Sequence, residues 1–312
     1  MRRRRRHAST QRGVAPAGPI ASRHEALAAH VDAARRGDVT GVHQARVATR
    51  RLREVVPVLG AGLRGARRGW LRRRLRDLTR ALGAVRELDV LLAMIADRPL
   101  SGAAAARLRD EWSEQVAGRR RAPARALRRI LDPAALASLH ERLDALEAMR
   151  EASPDSRWRK ALARQLAVRA DTLRDRIERT GALYHPGALH DVRIAAKQLR
   201  YALELTDETG LARVKPSLRT LKSAQDALGR LHDLDVLLAS LQAWVEEASS
   251  EDLQPAAAEV AAAIEHEARL LHARYLRTRL ALVRVTDTTR DRLVPRVTSD
   301  PYTQVRSAAD AH

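Results

Sequence analysis

The chain has 312 residues, long enough for one large core or two smaller ones. Lys and Arg number 58 against 38 Asp and Glu, a formal net charge of +20 that favours an anionic partner: nucleic acid, an anionic membrane or a phosphate polymer. The absence of cysteine excludes disulfides, thiolate metal sites and cysteine nucleophiles, and it is compatible with a reducing cytoplasm, the expected location.

The chain opens on Met1 and five arginines, Arg2 to Arg6. The Gly13–Pro19 stretch that follows is too short and too broken for the apolar segment of a signal peptide, so residues 1–20 are expected to form a disordered basic arm. No segment approaches the roughly 18 apolar residues of a membrane span. Beyond the arm, apolar residues recur at spacings of three and four, as in Leu71, Leu75, Leu78 and Leu82, and Gly and Pro fall between such runs. The pattern predicts an all-α chain with helices near 22–36, 41–60, 66–83, 86–97, 101–121, 133–150, 157–180, 187–208, 211–229, 232–248 and 253–285. Phe is absent, so cores are built from Leu, Val, Ala and Ile, and residues 291–312 are expected to be a flexible tail.

A histidine heads a basic ladder twice. His43-Gln-Ala-Arg46-Val-Ala-Thr-Arg50-Arg51-Leu-Arg53 matches His190-Asp-Val-Arg193-Ile-Ala-Ala-Lys197-Gln-Leu-Arg200, 147 positions later. A second block, Ala81 to Ala93, matches Ala227 to Ala239 at an offset of 146. Two ordered matches at nearly one offset indicate an internal duplication, divided near Ser153-Pro154-Asp155 into halves of about 21–152 and 155–290. At 100° per residue, positions 43, 46, 50 and 53 fall within roughly 80° of arc and about 15 Å of axis. Ala45, Ala48, Leu52, Val55, Val56 and Leu59 lie opposite, as Val192, Ala195, Ala196, Leu199 and Leu203 do in the second copy. Each helix thus buries one side and presents a cationic rail. Few carboxylates stand at i±4 to neutralise the rails, Glu54 and Glu204 being the nearest, and like charges at that spacing destabilise a helix. An anion supplied from outside explains them best.

The repeat also equates Arg76 with Lys222 and Arg86 with His232; Arg72, Arg73, Arg80 and Arg219 are weaker candidates. Glu87 with Asp89, and Asp233 with Asp235, invite a metal reading. Residues two apart on a helix point about 200° from each other, so the preferred role for Asp89 and Asp235 is to cap or to hold an arginine. His43 and His190 are read as donors to an anion. Nothing in the sequence calls for a metal or cofactor.

These strings resemble the CHAD family, the conserved histidine α-helical domain, whose halves each carry a histidine-led basic helix and a following L-G-x-x-[R/H]-[D/E]-x-D segment. The matching residues are His43, Arg46, Arg50, Arg51, Arg53, Leu82-Gly83 to Asp89, His190, Arg193, Lys197, Arg200, Tyr201, and Leu228-Gly229 to Asp235. The resemblance covers about residues 20–290. It implies two similar four-helix halves around a basic pocket or channel that binds inorganic polyphosphate, without catalysis, and targeting to polyphosphate granules. The family's frequent companion, a triphosphate tunnel with an E-x-E-x-K string, has no counterpart here, so a stand-alone binder is expected. Aromatic residues are 3% of the chain, and only Tyr201 stands beside the ladder, which makes single-stranded nucleic acid, normally stacked on aromatic side chains, the secondary partner. The alternative enzyme reading is a metal-dependent phosphohydrolase using His232, Asp233 and Asp235.

Overall fold

A computed structural model describes residues 18–99, 101–152, 157–247 and 251–298. The described residues contain no strand, in keeping with the all-α expectation. The helices are α1 (Pro19–Arg36), α2 (Val39–Leu59), α3 (Gly65–Ala96), α4 (Ala103–Ile130), α5 (Pro133–Ala152), α6 (Arg157–Thr180), α7 (Pro186–Glu208), α8 (Lys215–Glu247) and α9 (Gln254–Thr288). A π-helical turn, Thr289–Leu293, and α10 (Val294–Thr298) follow. The blocks matched in sequence fall on α2 and α3 in the first half and on α7 and α8 in the second. In each half consecutive helices pack on one another, α1 to α4 and α6 to α9. The first half has a fifth helix, α5, packed on α1, so it exceeds the four helices expected.

Both rail helices start at a defined cap. Gly37, with φ of 86°, ends α1 in the left-handed conformation, and the Asp38 carboxylate accepts from the Gly41 N–H at 2.5 Å. In the second half His185 Nδ1 accepts from the Ala188 N–H at 3.2 Å and Pro186 supplies the first helical residue. His43 and His190 each come five residues after their cap, so the two rails begin in the same register. Gly41 is required by packing: a Cβ there would stand 2.6 Å from the Ala33 methyl, where α2 crosses α1.

The apolar faces assigned from the wheel are buried in full, Ala45, Leu52 and Val56 on α2 and Val192, Ala196 and Leu199 on α7 among them. They belong to one continuous core shared by the halves. Polar links also cross between halves: Arg23 of α1 grips the Glu208 carboxylate of α7 at 2.7 and 2.9 Å, and the buried Trp112 of α4 donates to the Ser240 hydroxyl of α8 at 3.0 Å.

Several expected boundaries are corrected. The helices expected at 66–83 and 86–97 are one, α3, and those at 211–229 and 232–248 are one, α8. Gly83 and Gly229, where the expected helices ended, sit inside helices whose flanking residues Leu82, Val85, Leu228 and Leu231 are buried, and that burial outweighs the propensity cost of a glycine. The helix expected to stop near 121 runs through Pro123 to Ile130, held by Leu127 in the core and by Arg74, whose guanidinium donates to the Ile130 carbonyl at 3.2 Å. Pro19 and Ile20, expected within the arm, are helical, with Ile20 fully buried. Residues 291–298 are helical rather than tail, with Leu293 and Val297 buried against the body. Residues 1–17, 299–312 and the division at 153–156 lie outside the described residues.

Candidate functional site

The two rails line a common cavity of about 380 Å³. From α2 it receives His43, Arg46 and Arg50, and from α7 His190, Arg193 and Lys197; Arg86 of α3 and His232 of α8 close it from the following helices. Eight residues singled out in the sequence therefore meet in one place. Tyr201 is buried beside them, its ring 5.6 Å from the Arg50 guanidinium and 5.2 Å from that of Arg200.

The remaining candidates lie elsewhere. Arg53 and Arg76 line a separate cleft between α2 and α3. Arg51 and Arg200 both reach Glu204, at 4.0 and 3.5 Å, so that carboxylate links the lower ends of the two ladders. Glu54 is engaged in a similar way by Arg169 at 3.5 Å and by Gln165 at 3.1 Å, which ties α2 to α6. Lys222 is exposed on α8 outside the cavity.

Within the cavity the cations are without close partners. Among the described residues Arg46, Arg50, Arg193 and Lys197 form no ion pair and no hydrogen bond, and the Nε–H groups of Arg46 and Arg193 are buried with no acceptor. A buried donor left unmade costs about 1–3 kcal/mol, so the protein holds these groups at the expense of its own stability. The electrostatics register the crowding. Burial first, then Arg193, Arg50 and Arg46, bring the Lys197 ammonium down to about 7, against the opposing pull of Asp233. Burial, with Arg193, His190 and Lys197, lowers His232 to about 4. His43 and His190 are lowered for the same reasons, burial followed by a neighbouring arginine. At neutral pH the imidazoles are therefore neutral donors or acceptors; His190 and His232 face each other with Nδ1 atoms 3.1 Å apart.

Two carboxylates, Glu87 of α3 and Asp233 of α8, also line the cavity, and sequence reasoning did not count them as site residues. The signal was available, since the repeat equates them. They leave five cationic side chains facing two acids, a net positive wall. Burial raises the Asp233 carboxyl, and Arg193 and Lys197 oppose that rise. The carboxylates two residues on diverge, as the helical angle requires. Asp89 is buried and accepts from Arg120 Nε at 2.6 Å, the arginine-holding role expected of it. Asp235 departs from that expectation: it accepts from the Tyr184 hydroxyl at 2.5 Å rather than from an arginine.

Chemically the cavity offers forked guanidiniums, an ammonium and imidazole N–H groups to an anion with several oxygens and no aromatic base to stack. The CHAD domain family model matches residues 20–242. Among solved structures the chain is similar to the crystal structure of the CHAD domain from the plant Ricinus communis, with 25% identity and a TM-score of 0.56 over 88% of this chain and 89% of that one. No curated protein matches the chain.

Proposed function

The chain belongs to the CHAD domain family, and from that premise we propose that it binds inorganic polyphosphate in the cavity between its two rails, without chemical conversion. The carrying observation is the group of cations that line a single cavity without ion pair or hydrogen bond among the described residues, Arg46 and Arg50 from one half and Arg193 and Lys197 from the other. A chain of phosphates presents anionic oxygens on every unit, so each arginine can take a forked, charge-assisted contact while successive units pass from one rail to the other. Glu87 and Asp233 line the cavity, Asp235 turns to Tyr184, and no three His, Asp or Glu side chains among the described residues are grouped to hold the metal ion that metal-assisted attack on a phosphate would use, which supports binding over hydrolysis. None of the helices described is long and apolar enough to cross a membrane. The location that accords with the reading is the cytoplasm at polyphosphate granules, where a fluorescently tagged chain would form foci that vanish in cells unable to make polyphosphate.

The decisive test is competition at fixed salt. Polyphosphate displaces duplex and single-stranded DNA from the protein, and Arg50→Ala with Lys197→Ala weakens polyphosphate binding far more than deletion of Arg2 to Arg6. DNA that binds as tightly as polyphosphate at physiological salt would establish the nucleic-acid reading in its place. Release of orthophosphate by the pure protein with Mg²⁺ or Mn²⁺, abolished in Asp235→Asn, would establish hydrolysis.

A further inference from the structure

The basic stripe of α2 does not end at the central cavity. Arg53 is the next residue of the stripe after Arg50, about 5 Å further along the helix axis. It lines a second cleft, of about 310 Å³, between α2 and α3. Arg72, Arg73 and Arg76 of α3 complete its charged wall, over a floor that includes Pro57 and Gly69. Among the described residues Arg53, Arg72 and Arg73 form no ion pair, and Arg76 has only an exposed contact with Asp77 at 3.9 Å. Burial comes first in lowering Arg53, and Arg50 and Arg76 add to it against Glu54, so Arg53 feels the cavity on one side and the cleft on the other.

The second half differs at this place. By the repeat, Arg73 and Arg76 are kept there as Arg219 and Lys222, but Arg72 is replaced by Leu218 and Pro57 by Glu204. Glu204 holds Arg200, the counterpart of Arg53, at 3.5 Å, together with Arg51. The second half therefore keeps two of these cations, Arg219 and Lys222, beside an added acid, while the first leaves four arginines open.

We infer that the α2–α3 cleft is a second phosphate subsite, continuous with the central cavity on the first-half side only, that takes the part of a polyphosphate chain too long for the cavity. The inference rests on the polyphosphate reading of the cavity and adds to it a length preference and a direction of exit. A short oligophosphate is held by the cavity alone; a longer chain leaves over Arg53 and gains the cleft arginines, each contributing neutralisation and counterion release.

The test compares tripolyphosphate with long-chain polyphosphate, each titrated at several salt concentrations, on three proteins. These are the wild type, Arg72→Ala with Arg73→Ala, and a charge-matched control, Arg213→Ala with Arg274→Ala, on exposed positions of the second half. All four side chains are exposed, so folding is retained. The cleft variant is expected to bind tripolyphosphate as the wild type does. It should bind the long chain about tenfold more weakly, with a salt dependence shallower by roughly one to two contacts. The control keeps both affinities. Equal weakening for both lengths, unchanged long-chain affinity, or an equal loss in the control overturns the inference while the central cavity stands. A wild type that binds neither length removes both.

Discussion

Arg46 and Arg193 stand 147 positions apart in the chain, yet each buries an Nε–H without an acceptor on the wall of one cavity. The double replacement Arg46→Ala with Arg193→Ala separates stability from binding. A hydrogen bond to a charged group contributes about 1.5–3 kcal/mol, so polyphosphate affinity should fall by about a hundredfold or more. The melting temperature without polyanion should be no lower than that of the wild type, because two unmatched buried donors are removed. Calorimetric titration and thermal melts check the two halves of this prediction, and a large loss of melting temperature would mean that the arginines serve the fold.

Lys197 gives binding and folding opposite responses to pH. In the folded chain its ammonium loses its proton near 7, whereas in the unfolded chain it keeps it to the usual lysine range. The unfolded state therefore binds more protons between those limits, and this residue's contribution to stability rises with pH across that window. Below pH 7 its burial cost is present in full. A bound phosphate restores the charge, so binding takes up a proton and affinity declines as pH rises above about 7. Lys197→Met should flatten both trends and Lys197→Arg should remove the decline in affinity; titrations from pH 6 to 9 with parallel melts measure them. A wild-type affinity constant across that range would contradict the assignment.

Asp89 is structural on the same logic that keeps it out of the cavity. It is buried, it holds Arg120 at 2.6 Å, and Arg120 in turn donates to the Gly37 carbonyl at 2.8 Å, where α1 turns into α2. Asp89→Asn leaves a partly buried guanidinium without its counter-charge and should lower unfolding free energy by about 3 kcal/mol, measured by urea denaturation. Polyphosphate affinity should stay within about twofold. Loss of affinity at unchanged stability would place Asp89 in the binding machinery.

The rails were legible because their information is local. The 3.6-residue period assigned Leu52 and Val56 to the core and Arg46 and Arg50 to the opposite face without reference to any other helix, and the repeat carried the assignment to Val192 and Arg193. What the period does not encode is the register between helices. Arg53 belongs to the same stripe as Arg50 but opens onto a different cleft, because α3 approaches α2 there. Arg51 and Arg200 look alike in sequence to the cavity residues, yet Glu204 draws both, and only packing of α2 beside α7 brings that carboxylate within reach of Arg51. Glu87 was weighed for its charge alone, as a possible ligand; its place among the cations depends on how α3 is set against the rails.

The glycines at which the expected helices ended provide a test of α3 and α8. Gly83 and Gly229 occupy equivalent positions inside these helices, and neither has a positive φ. Alanine at either site should stabilise the chain by up to about 1 kcal/mol through helix propensity. Their surroundings differ: nothing lies within 4 Å of a Cβ at 229, whereas a Cβ at 83 would meet Arg46 Nε at 3.4 Å. Gly229→Ala should therefore raise the melting temperature and leave polyphosphate binding alone. Gly83→Ala should raise it similarly while its methyl crowds the Arg46 guanidinium and shifts it from its place on the cavity wall, lowering affinity roughly fivefold, a fraction of one charge-assisted hydrogen bond. A destabilised Gly83→Ala would show that the site does not tolerate a methyl, and unchanged affinity would show that the placement of the Arg46 guanidinium does not matter for phosphate.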